Sequence, residues 1–254
     1  MQSKSQAPSI TTGPITAQLL LFFFPILLGT FFQQLYNTVD TIIVGNFVGT
    51  NTALAAVGGA TGQLVNLFVG FFIGLSSGCG VIISQYYGAR DQNAVSKSVH
   101  TALAFSLLSG VVIMVLGLLL TDFSLRAMSL PEEIMPEATA YLRIFFLGMI
   151  PNLFYNMGAA VLRAIGDSKR PLYFLILSCL CNIVLDLIFV AYLRLGVSGA
   201  ALATILSQLA SAVMVLFVLL RTKSDVRLIP SQLRLEPFWL KKMIYVGLPD
   251  GLQS

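Results

Sequence analysis

Two acids occupy positions where an acid is costly. Asp40 closes the polar stretch Gln33-Gln34-Leu35-Tyr36-Asn37-Thr38-Val39-Asp40 inside one long apolar run, and Asp186 closes Asn182-Ile183-Val184-Leu185-Asp186 inside another. An ionised carboxylate near hydrocarbon survives only when it faces a cavity, a partner group or a cation. Asn182 stands four residues before Asp186, a spacing that stacks both side chains on one helix face. Thr204 offers a hydroxyl from the next apolar run. Carboxylate, amide and hydroxyl oxygens are hard ligands suited to an alkali cation such as Na+, and a carboxyl group shielded from water also holds a proton more readily near neutral pH. Plainer roles compete. A membrane carboxylate can be a structural hydrogen-bonding group, an amide can glue two helices together, and threonine commonly bonds back to its own helix carbonyl.

The elements that must position these groups are membrane helices. Of 254 residues, 56% are hydrophobic and only 10% charged, against roughly 25% charged in soluble domains. Backbone groups find no water in hydrocarbon, so spans of about 20 apolar residues form helices; a closed barrel would alternate polar and apolar residues, and this chain does not. Reading from charge to charge predicts helices near 15–45, 52–85, 94–121, 134–163, 170–193 and 197–221. No charge occurs from Thr41 to Ala89, which is too long for one crossing, and Gly45, Asn46, Gly49 and Asn51 mark the turn that divides it. Placing the N-terminus in the cytoplasm leaves only Arg126, Arg143 and Arg194 of the 15 basic residues outside, and the positive-inside rule selects that topology. In this frame Asp40 lies about five residues before the outer end of its helix, Asp186 about seven before the end of its own, and Thr204 about seven into the next. At 1.5 Å per residue all three fall within roughly 7–12 Å of the outer surface.

The fold class is therefore an all-α integral membrane protein, a six-helix transmembrane bundle with the start of a seventh helix. Residues 1–14 read as a cytoplasmic tail, 15–222 as the bundle, 223–236 as a polar linker and 237–254 as the beginning of a second lobe. Aligning Pro249 with Pro25 sets Lys241–Leu248 over Ala17–Phe24, the mark of an internal repeat. The first fourteen residues lack the short apolar core and small-residue cleavage site of a removable leader, so the first span is expected to remain as an anchor.

Other polar residues are less specific. Gln33, Gln34, Tyr36, Asn37, Gln63 and Asn66 either line an aqueous chamber or bridge helices. The phenylalanines 22, 23, 24, 31 and 32 read as packing, and the lone His100 as an exposed or interfacial residue at a helix end. Pro25 and Pro151 remove backbone bonds and can kink their helices. Gly74-Leu75-Ser76-Ser77-Gly78-Cys79-Gly80 lacks the Gly-Lys-Ser/Thr ending of a phosphate loop, and close helix packing explains it better. Cys79, Cys179 and Cys181 read as small hydrophobes. The basic residues are scattered at span ends, which excludes a nucleic-acid surface. With no nucleotide-hydrolysis motif, energy has to come from an ion gradient.

The run Leu35-Tyr36-Asn37-Thr38-Val39-Asp40-Thr41-Ile42-Ile43-Val44-Gly45, followed by Ala53-Leu54-Ala55-Ala56-Val57-Gly58, resembles the first helix pair of the multidrug and toxic compound extrusion (MATE) family. Gln85-Tyr86-Tyr87-Gly88-Ala89-Arg90, Leu162-Arg163-Ala164-Ile165-Gly166-Asp167 and Asn182-Ile183-Val184-Leu185-Asp186 look like that family's next landmarks, in the same order and spacing. The resemblance, strongest to the DinF-like branch, implies one lobe of a two-lobed, twelve-helix exporter in a bacterial cytoplasmic membrane. It implies small-molecule substrates exchanged for inward H+ or Na+, with no other cofactor, in a monomer surrounded by lipid. It also places a cation or proton site on Asp40, Asn182, Asp186 and Thr204, the residues reached above from depth and spacing. A lipid-linked precursor flippase of related plan would need a more cationic cavity. A seven-helix receptor would carry no gradient-driven flux, and a membrane enzyme would need a nucleophile and base that one histidine does not provide.

Overall fold

The computed structural model describes residues 15–48 and 56–253, and among them there is no β-strand. The tail 1–14, the turn residues Gly49 and Asn51, and Ala53, Leu54 and Ala55 lie outside the described residues. Among the described residues the main α-helices are, in chain order, α1 (Ile15–Phe47), α2 (Ala60–Gly88), α3 (Gln92–Ala127), α4 (Met135–Leu147), α5 (Met149–Ala164), α6 (Lys169–Asp186), α7 (Gly196–Arg221) and α8 (Pro237–Gln253). Among the described residues four helical stretches are each long and apolar enough to cross a bilayer, or five if α4 and α5 are taken as one bent span. The helix α1 is 33 residues long and runs unbroken through Pro25.

The bend between α4 and α5 is 49°. Pro151 has no N–H to give to Leu147 four residues back, and its ring crowds that carbonyl. The helix accordingly breaks at Gly148. A second irregularity has no proline behind it: directly after Asp186 the chain widens into a π-helical stretch, Leu187–Tyr192. Such stretches are rare and gather at functional sites. Between α2 and α3 the chain reverses at Arg90, held at φ 59°, and Asp91 caps α3 by accepting the Ala94 N–H at 3.0 Å.

Packing does not follow chain order. The helix α1 lies along α6, α6 along α7, and α7 against both halves of the bent span; α5 contacts α2 and α3. Among the described residues α1 and α2 barely touch. The outward face of α3 leaves Leu119 and Phe123 more than 70% exposed, an apolar surface that suits lipid and not water. Where α2 crosses α8, the two backbones come into direct contact at glycines. A Cβ added to Gly74 would run into the backbone of Gly251, and one on Gly78 into the backbone of Gly247. Glycine is the residue that allows such an approach.

Residues 222–236 are less free than their polarity predicts. Val226 and Leu228 are buried in the same core as Trp239 and Met243, and the Leu228 N–H donates to the Leu219 carbonyl at 2.9 Å. Lys242 reaches back to donate to the Tyr86 hydroxyl at 2.6 Å. His100 departs from its expected exposed place: it is buried at the end of this core. Its Nε2 accepts the Ile229 N–H at 3.0 Å, which fixes the proton on Nδ1, from where it is donated to the Ser96 carbonyl at 2.7 Å. Replacing His100 with Leu leaves the Ile229 N–H without an acceptor, at a cost of about 1–3 kcal/mol. The expected result is faster tryptic cleavage after Arg227 in the detergent-solubilised protein, with His100→Gln, which keeps an acceptor, closer to the parent; unchanged cleavage in His100→Leu would show that the histidine does not hold the linker.

Candidate functional site

The site is assembled from one turn each of α1, α4, α6 and α7. Asp40 is 6% exposed, Thr204 2%, and Asn182 and Asp186 are fully buried. The carboxyl groups of Asp40 and Asp186 face each other within direct interaction distance. Two carboxylates have no donor between them, so such a pair is stable only with a shared proton or a cation. Oδ1 of Asp40, both carboxyl oxygens of Asp186 and both amide atoms of Asn182 are buried without a hydrogen-bond partner. Buried polar atoms are rarely left so. The four oxygens among these five atoms form a set of hard ligands that fits a small cation or a proton and suits no transition metal, while the amide N–H2 is a hydrogen-bond donor.

Thr204 donates to the Ala200 carbonyl at 3.0 Å, the back-bonded state threonine adopts in helices, which leaves its oxygen lone pairs available. Tyr36 lies against Thr204 and borders both acids. Tyr141 of α4 also borders the two acids. It is absent from the sequence reading because the bend before α5 sets its depth, and Pro151 marks where that bend falls but not its size. Of the polar residues that could line a chamber, Gln33 and Tyr36 face cavities inside the bundle. Gln34, Asn37, Gln63 and Asn66 are exposed and line neither cavity.

The larger cavity, about 560 Å³, opens between α1 and α2 and is backed by α5 and α6. Its wall holds one basic residue, Arg163, and one acidic residue, Asp250. The smaller, about 60 Å³, lies deeper between α1, α5, α6 and α7.

A bundle of long apolar helices, with apolar side chains exposed on its outside and unsatisfied acids held within, defines a multi-pass membrane protein. The chain belongs to the MatE family, whose sequence model matches residues 25–188. It is 33% identical to the probable multidrug resistance protein YpnP of Bacillus subtilis (strain 168) over 98% of this chain and 55% of that protein. Among solved structures it resembles MATE in the straight conformation (TM-score 0.88, 29% identity, 98% of this chain, 55% of that one) and in the bent conformation (TM-score 0.87, 30% identity, 94% and 53%). The chain spans about half the length of the curated relatives it matches. Members of this family are transporters and not enzymes.

Proposed function

We propose that this chain forms the amino-terminal lobe, residues 15–222, of an exporter that expels small, cationic or amphiphilic molecules in exchange for H+ or Na+. Residues 223–236 link it to a second lobe that begins at 237, and the N-terminus is cytoplasmic. The observation that carries this reading is the buried pair Asp40 and Asp186 with the unpartnered Asn182 amide beside it. Asp40, Asp186, Asn182 and Thr204 supply the oxygens for Na+, or the two carboxylates share one proton. In either case occupancy removes repulsion between α1 and α6 and draws them together. Antiport follows when that tighter packing lowers affinity for the substrate, a negative coupling between two sites.

The exposed amides of Gln34, Asn37, Gln63 and Asn66 support a chamber on the α1–α2 side, because amides in mid-span are poorly accommodated by lipid. The flippase alternative gains nothing from the large cavity. Arg163 and Asp250 oppose each other there, whereas a phosphate headgroup calls for net positive charge.

Reconstitution of the full-length protein in sealed vesicles, with proton and sodium gradients imposed separately against a panel of cationic dyes, tests the proposal. Dye efflux is expected under at least one gradient and none without a gradient. Absence of gradient-driven flux under both would overturn antiport.

A further inference from the structure

We propose that the acid pair exchanges its ion with the cytoplasmic side through a hydrated polar path between α1, α6 and α7 that leads into the larger cavity. This rests on the reading of Asp40 and Asp186 as the coupling pair.

Three helices turn a polar edge toward one another, at helical spacing. On α1 the edge is Gln33, Tyr36 and Asp40; on α6 it is Ser178, Asn182 and Asp186; on α7 it is Ser211, Ser207 and Thr204. The six residues contributed by α6 and α7 are each no more than 8% exposed. The four hydroxyls each donate to a backbone carbonyl, Ser178 across the α6–α7 contact to Ser207, which leaves their oxygen lone pairs free to accept from water, while the Asn182 amide and the acids have no partner in the protein and need one.

The line is not solid. The small cavity of about 60 Å³ sits on it. At about 15 Å³ of such volume per molecule, it has room for roughly four waters with polar partners on most sides. Gln33, Tyr155, Asn156 and Leu175 line both this space and the larger cavity, so a single layer of side chains separates the two. Toward the acids, the only layer is again one side chain deep. Tyr36 lines the small cavity and borders Asp40, Asp186 and Thr204, while Ser207 donates to the Thr204 carbonyl at 2.8 Å. The Asn182 amide, with neither atom bonded, lies between the cavity level and Asp186. The larger cavity ends at Arg163, Ser168 and Pro171, the end that the charge distribution puts in the cytoplasm. A proton leaving the pair passes to water as hydronium along this path, and Na+ exchanges one set of hydroxyl and amide oxygens for the next.

The test uses two pairs of variants with equal added volume in the full-length exporter. Ser207→Val with Ser211→Val makes the path apolar, and Ser207→Thr with Ser211→Thr adds the same bulk while keeping both hydroxyls. Under an imposed ion gradient the valine pair is expected to slow efflux by roughly tenfold or more, and the threonine pair to stay near the parent rate. Dye affinity without a gradient, measured in parallel, should be retained by both. Normal efflux from the valine pair, or equal slowing by both pairs, would overturn the path. If the valine pair fails to assemble, Ser211→Val against Ser211→Thr gives the same comparison at the position nearer the inner cavity. Asp40→Asn run alongside separates the two levels: loss there with normal flux in the valine pair removes only the path, and normal flux in Asp40→Asn removes the pair itself.

Discussion

Asp40→Asn in the full-length transporter is expected to abolish proton-driven efflux while leaving expression and dye binding intact. Asparagine matches the shape of aspartate but neither gains nor loses a proton, and it leaves Asp186 without the carboxyl it faces. If the coupling ion is Na+, an oxygen remains but a charge is gone. At about 4 Å and an effective dielectric constant of 20, one unit charge contributes about 4 kcal/mol to holding a cation, which is roughly a thousandfold in affinity. Residual Na+-driven flux would then return only at far higher sodium, whereas proton-driven flux would not return at all. Asp186→Asn should match it, since both Asp186 oxygens are buried and unpartnered. Efflux at the parent rate in either variant would show that the pair is structural.

The second large effect is expected at the crossing of α2 and α8. Gly78→Val places a branched side chain where the backbone of Gly247 runs, and a backbone cannot rotate aside as a side chain can. Overpacking in a core that can adjust costs about 1–3 kcal/mol; here the cost should reach or pass the top of that range. The measurable outcome is loss of monodisperse full-length protein on gel filtration, or a thermal midpoint lower by several degrees. Gly88→Ala is the control, because a Cβ there meets nothing within 4 Å. A Gly78→Val protein as stable as the parent would mean that the crossing does not contribute to the fold.

The helices are legible in the sequence because hydrocarbon enforces them: a charge-free run of sufficient length has no other stable state. The approach of Asp40 to Asp186 is legible for a geometric reason. Each helix advances by a fixed rise, so counting from a span end gives depth, and the four-residue step from Asn182 to Asp186 gives the face. What is not legible depends on contacts distant in the chain. His100 looks interfacial until Ile229, 129 residues later, supplies the N–H that buries it. Val226 and Leu228 sit in a stretch whose average polarity hides two core residues. Tyr141 reaches the acids only because of a bend whose size Pro151 does not specify, although Pro151 does give its position. The π-helical stretch after Asp186 has no signature in its apolar residues Leu187–Tyr192.

The glycine contacts between α2 and α8 also bear on where the molecule can flex. In the proposed two-lobe arrangement the border between lobes falls in residues 223–236, and a tether there would let everything beyond it swing. In the fold that tether is fastened to His100 and to Leu219, and the helix after it is seated on α2 backbone against backbone. The mechanical seam is thus displaced from the chemical one. As long as this seating holds, α8 moves with α2, and any rocking of the proposed lobes has to find its pivot elsewhere than in the stretch that looks most like a joint.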